Sequence, residues 1–217
     1  MGNIGFPCIV KPAHLGSSIG VGKADNLEEL RALLPAIFRL DRQAVIEPFV
    51  PNLIEYNLSV ARIGGEIRAS AIEKPKRAEE LLDFRQKYMA AGTAGGVKSA
   101  GQSSEGMLSL TREINPSLPA EFEADLRHWA AVAFAAVDGS GAPRVDFYCN
   151  EATGEVWLNE VNPIPGSFGY FLWEAARPPL LFTALLTHLI DEALARHRES
   201  QLPDDPVPAE ARLLPRR

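Results

Sequence analysis

Asp146, Glu160 and Asn162 stand at alternating positions in two strand-like runs, RVDFYCN and VWLNEVN, joined by a short polar segment. Arg144 precedes Asp146 by two residues, on the same side of an extended chain. In a hairpin whose loop covers 151–155, Asn150 faces Val156, which sets Asp146 opposite Glu160 and Arg144 opposite Asn162. With Val145, Phe147, Val156 and Leu158 expected to be buried, the paired carboxylates repel unless a cation lies between them. Oxygen-only donors of this kind suit magnesium better than zinc, and magnesium commonly combines a carboxylate or two with substrate phosphates. The competing reading is a solvated outer face of the hairpin.

A second constellation lies near the start, in KPAHLGSSIGVG, where Lys11 closes a strand and Gly16, Gly20 and Gly22 surround Ser17 and Ser18. Backbone amides in such a turn form an anion nest and a nearby lysine adds a point charge, a combination that suits phosphate. The spacing fits neither a Walker A loop nor a dinucleotide GxGxxG turn, and the same stretch also reads as an ordinary hairpin loop. The four histidines, His14, His128, His188 and His197, fall at surface or helix-face positions and take no role.

Both constellations need scaffolding, and the patterning supplies it. Strands are expected at Cys8 to Val10 and in QAVIEPFV, where Pro48 marks an edge or an end, with a hairpin turning at Gly64-Gly65. Between them a helix starts at Asp25 or Asn26, carries Leu30, Leu33, Leu34 and Ile37 inward, and is kinked or split by Pro35. The small, polar stretch 89–106 reads as a lid or a disordered loop. Pro119 opens a helix with Phe122, Leu126, Trp129, Val132 and Ala133 inward. A last helix over 179–198 carries Leu181, Leu185, Leu189 and Ala193 inward, before an unfolded tail over 200–217. Trp129 and Trp173 are expected as core anchors.

The composition agrees with a folded domain and excludes several partners. The chain has 217 residues, a net charge of −6 and a pI near 5.3, which leaves no basic face for nucleic acid. No apolar run approaches the roughly 20 residues of a membrane span. A signal peptide is not apparent in the first residues, and Cys8 and Cys149, in apolar stretches without metal spacing, read as buried thiols of a cytoplasmic protein.

Three blocks in order, FPCIVKPAHLGSSIGVGKADNLEEL, DFRQKY and RVDFYCNEATGEVWLNEVNPIPG, resemble the ATP-grasp superfamily and, within it, the D-alanine:D-alanine ligases, over about residues 5–200. The resemblance implies an α+β fold in which two lobes with mainly antiparallel sheets clasp a nucleotide. The smaller lobe would end within 1–50 and the larger would occupy 51–199. It also implies ATP, two magnesium ions with manganese as a substitute, and amino-acid substrates joined through an acyl phosphate, as in peptidoglycan synthesis. On that resemblance Lys11 reaches the α and β phosphates beneath a loop of Gly16, Ser17 and Ser18. Glu47 accepts from the adenine amino group, Phe49 and Val50 line the base, Glu55 holds the ribose and Lys87 meets the terminal phosphate. Asp146, Glu160 and Asn162 become metal ligands, Arg144 steadies the acyl phosphate and Gly166 contributes to an oxyanion site.

The family also carries an N-terminal domain, expected here in cis or in trans, and a homodimer is compatible with it. Alternatively the chain is a nucleotide- and magnesium-binding module or fragment without turnover. Two departures stand out: Pro163 follows Asn162 where threonine is usual, and SFGYFLWEA replaces a threonine- and serine-bearing loop with Phe168, Tyr170 and Phe171. An acceptor of greater bulk or lower polarity is the expected consequence.

Overall fold

The computed structural model describes residues 4–16, 19–76 and 111–201. Ser17, Ser18, Lys87, the stretch 89–106 and the tail from 202 lie outside the described residues. The described chain divides into a first unit, Met1–Leu53 with Cys149–Glu155, and a second, Ile54–Tyr148 with Val156–Arg217.

The first unit is a helix on a three-stranded antiparallel sheet of order β2-β1-β3, with β1 at Cys8–Pro12, β2 at Gly22–Ala24 and β3 at Ala44–Pro48. Cys8, Val10 and Ala24 face Leu30 and Ile37 of helix α1 (Leu27–Phe38), with Leu33 and Leu34 packed around them. Fully burying each such aliphatic side chain stabilises by about 1.5–3 kcal/mol. Of the two expected caps it is Asn26 that acts, its Oδ1 accepting from the Glu29 N–H at 3.0 Å while the Glu29 carboxylate accepts from the Asp25 N–H at 2.8 Å. Pro35 does not split the helix, which runs continuously to Phe38.

Two glycines are set by space. At Gly20, with φ +76, a Cβ would meet Leu40 at 2.8 Å, and at Gly22 it would meet Leu33 at 2.9 Å. Both therefore let the turn after Gly16 lie close against its own unit.

The second unit is a five-stranded sheet of order β6-β5-β4-β7-β8. Its strands are β4 (Leu53–Ile63), β5 (Glu66–Pro75), β6 (Arg112–Ile114), β7 (Arg144–Asn150) and β8 (Val156–Asn162). Gly64 and Gly65, at φ +63 and +88, make the expected turn between Ile63 and its partner Glu66. Ser59 sits where the β4–β5 register shifts, and its hydroxyl donates to the carbonyls of Ala142 and Pro143 while accepting from the buried Trp173 indole at 3.1 Å. That network ties β4 to helix α3 (Tyr170–Glu174).

Helix α2 (Ala120–Ala136) buries Leu126, Ala130 and Phe134, an i, i+4, i+8 stripe that leaves Trp129 and Val132 exposed. Trp129 is thus no core anchor, since the stripe turns one residue away from the expected one. Helix α4 (Phe182–Ser200) starts three residues later than expected, buries Leu185 and leaves Leu181 and Ala193 in solvent. On β8, Leu158 is also exposed, as is Trp157 of the opposite parity, because β8 is an edge strand with a neighbour on one side only. Cys8 and Cys149 are buried free thiols, and burial together with the Glu151 charge pushes the Cys149 thiol up. Among the described residues no helix is long and apolar enough to cross a membrane.

Candidate functional site

In the first unit the expected nucleotide residues lie along β1 and β3, whose register pairs Ile9 with Glu47 and Lys11 with Val45. Lys11 and Glu47 are therefore diagonal neighbours on one face, and their side chains form an ion pair of 2.8 Å, about one-third exposed. Phe49, just past β3, lies under the Lys23 ammonium at 4.8 Å, and Lys23 also meets Asp25 at 2.7 Å. Val50 is half-buried and Gly16 is exposed, with open space where a Cβ would be. The Gly16 carbonyl accepts from the Ile19 N–H at 3.2 Å, which closes the turn.

In the second unit Arg144 and Asp146 project from the same side of β7 and form a bidentate pair, Nε to Oδ1 at 2.6 Å and Nη2 to Oδ2 at 2.7 Å. Asp146 is buried, and the Arg144 guanidinium is held more firmly charged than usual, first by that hydrogen bond and against desolvation. Glu55 is the third residue of β4, beside β7 in the sheet, and is half-buried. Burial raises its pKa, the Asp146 charge raises it further, Arg144 opposes, and Glu160 and Glu73 add to the rise. Glu160 itself is exposed on β8. The loop before β8 closes with the Asn150 N–H donating to the Glu155 carbonyl at 2.9 Å. Asn162 ends β8, its Oδ1 accepting from the Ile164 N–H at 3.3 Å.

Gly166 opens a turn of unusual handedness. Ser167, Phe168 and Gly169 all have left-handed φ, of 52, 55 and 61, before α3 begins. For the two non-glycine residues that conformation costs about 1–2 kcal/mol each. Of the aromatic residues expected to remodel this loop, Tyr170 packs on Phe182 at 4.9 Å and Phe171 lies beneath Arg112 at 4.6 Å. Phe168 is the exposed one of the three.

Glu73 and Arg112 escaped sequence reasoning. Glu73, near the end of β5, is 1% exposed and meets Arg112 at 2.7 Å, with Arg144 Nη1 at 3.8 Å. A lone glutamate in the run ASAIE was a signal, since a buried carboxylate needs a partner, but its partner stands 39 residues further on.

Asp146, Glu160 and Asn162 offer oxygen donors throughout, the set that suits a hard cation. Both Asp146 oxygens already accept from Arg144, yet each keeps a further lone pair. Among the described residues no group of three or more His, Cys, Asp or Glu could hold a metal ion. A divalent ion at this hairpin would thus draw on an amide and on ligand oxygens as well as carboxylates, which is magnesium's habit.

The chain matches a family model described as D-ala D-ala ligase C-terminus over residues 1–191. It is 37% identical to the D-alanine--D-alanine ligase of Heliobacterium modesticaldum over 202 residues, 91% of this chain and 50% of that protein. With the ligase of Bacillus cytotoxicus the identity is 34%, again over 91% of this chain and 50% of that one. Among solved structures, the D-alanine-D-alanine ligase of Helicobacter pylori superposes with a TM-score of 0.60 at 26% identity, covering 88% of this chain and 50% of that one. The ligase of Coxiella burnetii gives a TM-score of 0.64 at 23% identity, over 91% and 47%, a likeness of fold alone. The chain spans about half the length of the curated relatives it matches. Its antiparallel α+β architecture and these matches agree: the chain belongs to the D-alanine–D-alanine ligase C-terminal family, with the ATP-grasp fold.

Proposed function

We propose that this chain supplies the nucleotide, metal and acyl-phosphate residues of an ATP-dependent carboxylate–amine ligase of the D-alanine–D-alanine type. The observation that carries it is the bidentate Arg144–Asp146 pair, on which the charges of Glu55 and Glu160 also act, an excess of negative charge with one cation fixed among it. Magnesium, when bound, neutralises phosphate charge as it is displaced. On this reading Asp146, Glu160 and Asn162 hold two such ions, with manganese able to replace them. Lys11 and the loop of Gly16, Ser17 and Ser18 hold the inner phosphates, and Lys87 the terminal one. Glu47 accepts from the base amine beside Phe49 and Val50, and Glu55 takes the ribose hydroxyls.

Arg144 and the Gly166 backbone then face the reacting carboxyl. One oxygen of that carboxylate bonds to the terminal phosphorus as the bond to ADP breaks. The acceptor amine next bonds to the carboxyl carbon, inorganic phosphate leaves and the amine gives up a proton. Positioning and charge neutralisation suffice for such chemistry, so no side-chain nucleophile is required. Both amino acids are small substrates, and Phe168 beside Gly166 favours an acceptor with apolar bulk. We further place the protein in the cytoplasm, completed by an N-terminal domain in cis or in trans and compatible with a homodimer.

Titrating the chain with a non-hydrolysable ATP analogue, with and without magnesium, tests the binding half of this reading. Micromolar affinity that needs magnesium is expected, and equal affinity in EDTA would refute it. Phosphate release across a panel of D-amino acids, with the N-terminal domain supplied, tests turnover. Tight nucleotide binding without release under any of these conditions would favour a binding module instead.

A further inference from the structure

Glu73 takes no part in the assignments above, yet it faces two cationic side chains of the second unit, Arg112 and Arg144. Its Oε2 accepts from Arg112 Nη1 at 2.7 Å, and its Oε1 lies 3.4 Å from the Asn57 amide nitrogen and 3.8 Å from Arg144 Nη1. Arg144 spends Nε and Nη2 on Asp146, so its remaining nitrogen, Nη1, is the one that faces Glu73. The guanidinium is hydrogen-bonded along one edge and has a second carboxylate within ion-pair reach of its free tip.

These grips differ in what can loosen them. Asp146 carries oxygens of the kind a divalent ion competes for, and such an ion weakens its hold on Arg144. Glu73, 1% exposed and already paired with Arg112, is shielded from solvent cations. Arg112 in turn places its guanidinium 4.6 Å from the ring centre of Phe171, in the first turn of α3 and just past the left-handed residues that follow Gly166. A single carboxylate thus links Arg144, through Arg112 and Phe171, to the helix that follows the Gly166 turn.

We propose that Glu73 is a positioning residue that keeps the Arg144 guanidinium in place when Asp146 turns toward another cation, and that through Arg112 and Phe171 it fixes the turn after Gly166. The proposal rests on Arg144 being the arginine that meets the reacting carboxyl.

Side-chain nitrogen NMR on the isotope-labelled chain tests the grip directly. Two held edges block rotation about Nε–Cζ, so Arg144 should show separate Nη1 and Nη2 resonances, assigned by their loss in Arg144→Lys. In Asp146→Ala the separation should persist, because Glu73 still holds Nη1, and adding Glu73→Gln to it should collapse the pair to one averaged signal. Arg112→Met should keep the separation, since Glu73 is then left wholly to Arg144, whereas a purely packing role for Glu73 would loosen Arg144 here too. Averaged signals in Asp146→Ala, with Glu73 intact, overturn the proposal even if the Glu73→Gln chain does not fold. Absence of magnesium-dependent nucleotide binding in the unchanged protein would instead sink the functional reading and leave the grip on Arg144 standing.

Discussion

In the first unit the charged groups named at the candidate site pair with opposites, Lys11 with Glu47 at 2.8 Å and Lys23 with Asp25 at 2.7 Å, and Asp41, just before β3, accepts from the His14 backbone N–H at 2.6 Å. In the second unit Glu55, Glu73, Asp146 and Glu160 act on Arg144 and one another, with Arg112 as the further cation. Carboxylates in the two regions respond in opposite directions. Desolvation acts to raise Asp41, but hydrogen bonds from His14 and Gln43 outweigh it and bring the carboxyl down to about 2. Glu55 is raised, by burial first and then by its acidic neighbours, which outweigh Arg144. The site charges of the first region are matched in pairs, whereas the second has negative charge left over and is the place where a bound cation gains most.

The largest way to break this contrast is Asp146→Asn. It removes the charge from a bidentate, charge-assisted pair, so urea unfolding should show a loss of about 1.5–3 kcal/mol. Magnesium-dependent nucleotide affinity should fall at least tenfold, about 1.4 kcal/mol or more. A stability change within error would mean that the pair is dispensable.

Glu55→Gln sharpens the contrast through pH. Folded Glu55 binds its proton more tightly than the unfolded chain does, so its stabilising contribution is present below the ordinary value of 4.5 and is lost as pH rises through its folded value. Thermal melts of the variant and the unchanged protein should therefore coincide in acid and separate toward neutral pH, with the variant the more stable. Saturating magnesium should narrow the gap. A neutral-pH melt in which the variant is the less stable would reverse the sign assigned to the cluster.

The smallest effect is expected in the first region. Lys11→Met removes one partner of a pair that is about one-third exposed, so it should cost no more than about 1 kcal/mol, and less in high salt. On nucleotide affinity its effect should be much larger than on stability, because the phosphate contact, and not the pair, would be lost. Equal losses in both measurements would assign Lys11 a structural role alone.

How far the sequence disclosed these regions follows from how local each signal is. The Gly64-Gly65 turn, the Asn26 cap with Glu29 and the placing of Arg144 two residues from Asp146 are short-range patterns, and all of them are present. The inward face of α2 was misjudged because a helix stripe read from composition can rotate by one residue, which exchanged Trp129 for Ala130 and Phe134. Leu158 was misplaced because hydrophobicity does not reveal that a strand lies at a sheet edge. Glu73 with Arg112 and Phe171 was invisible for a third reason: the contacts join β5, β6 and α3, elements far apart in the chain whose meeting only the tertiary fold decides. Where the chain and the structure disagree most, then, is in side chains whose partners are remote.

The central claim is that the surplus negative charge on the Asp146–Glu160 hairpin exists to take up a divalent ion with a nucleotide. Calorimetric titration of a non-hydrolysable ATP analogue into the unchanged protein and into Glu160→Gln, each with magnesium and with EDTA, addresses it most directly. The account predicts that magnesium strengthens binding to the unchanged protein at least tenfold and that this gain largely disappears in Glu160→Gln, whose fold and melting temperature are preserved. A magnesium gain of the same size in both proteins would contradict it.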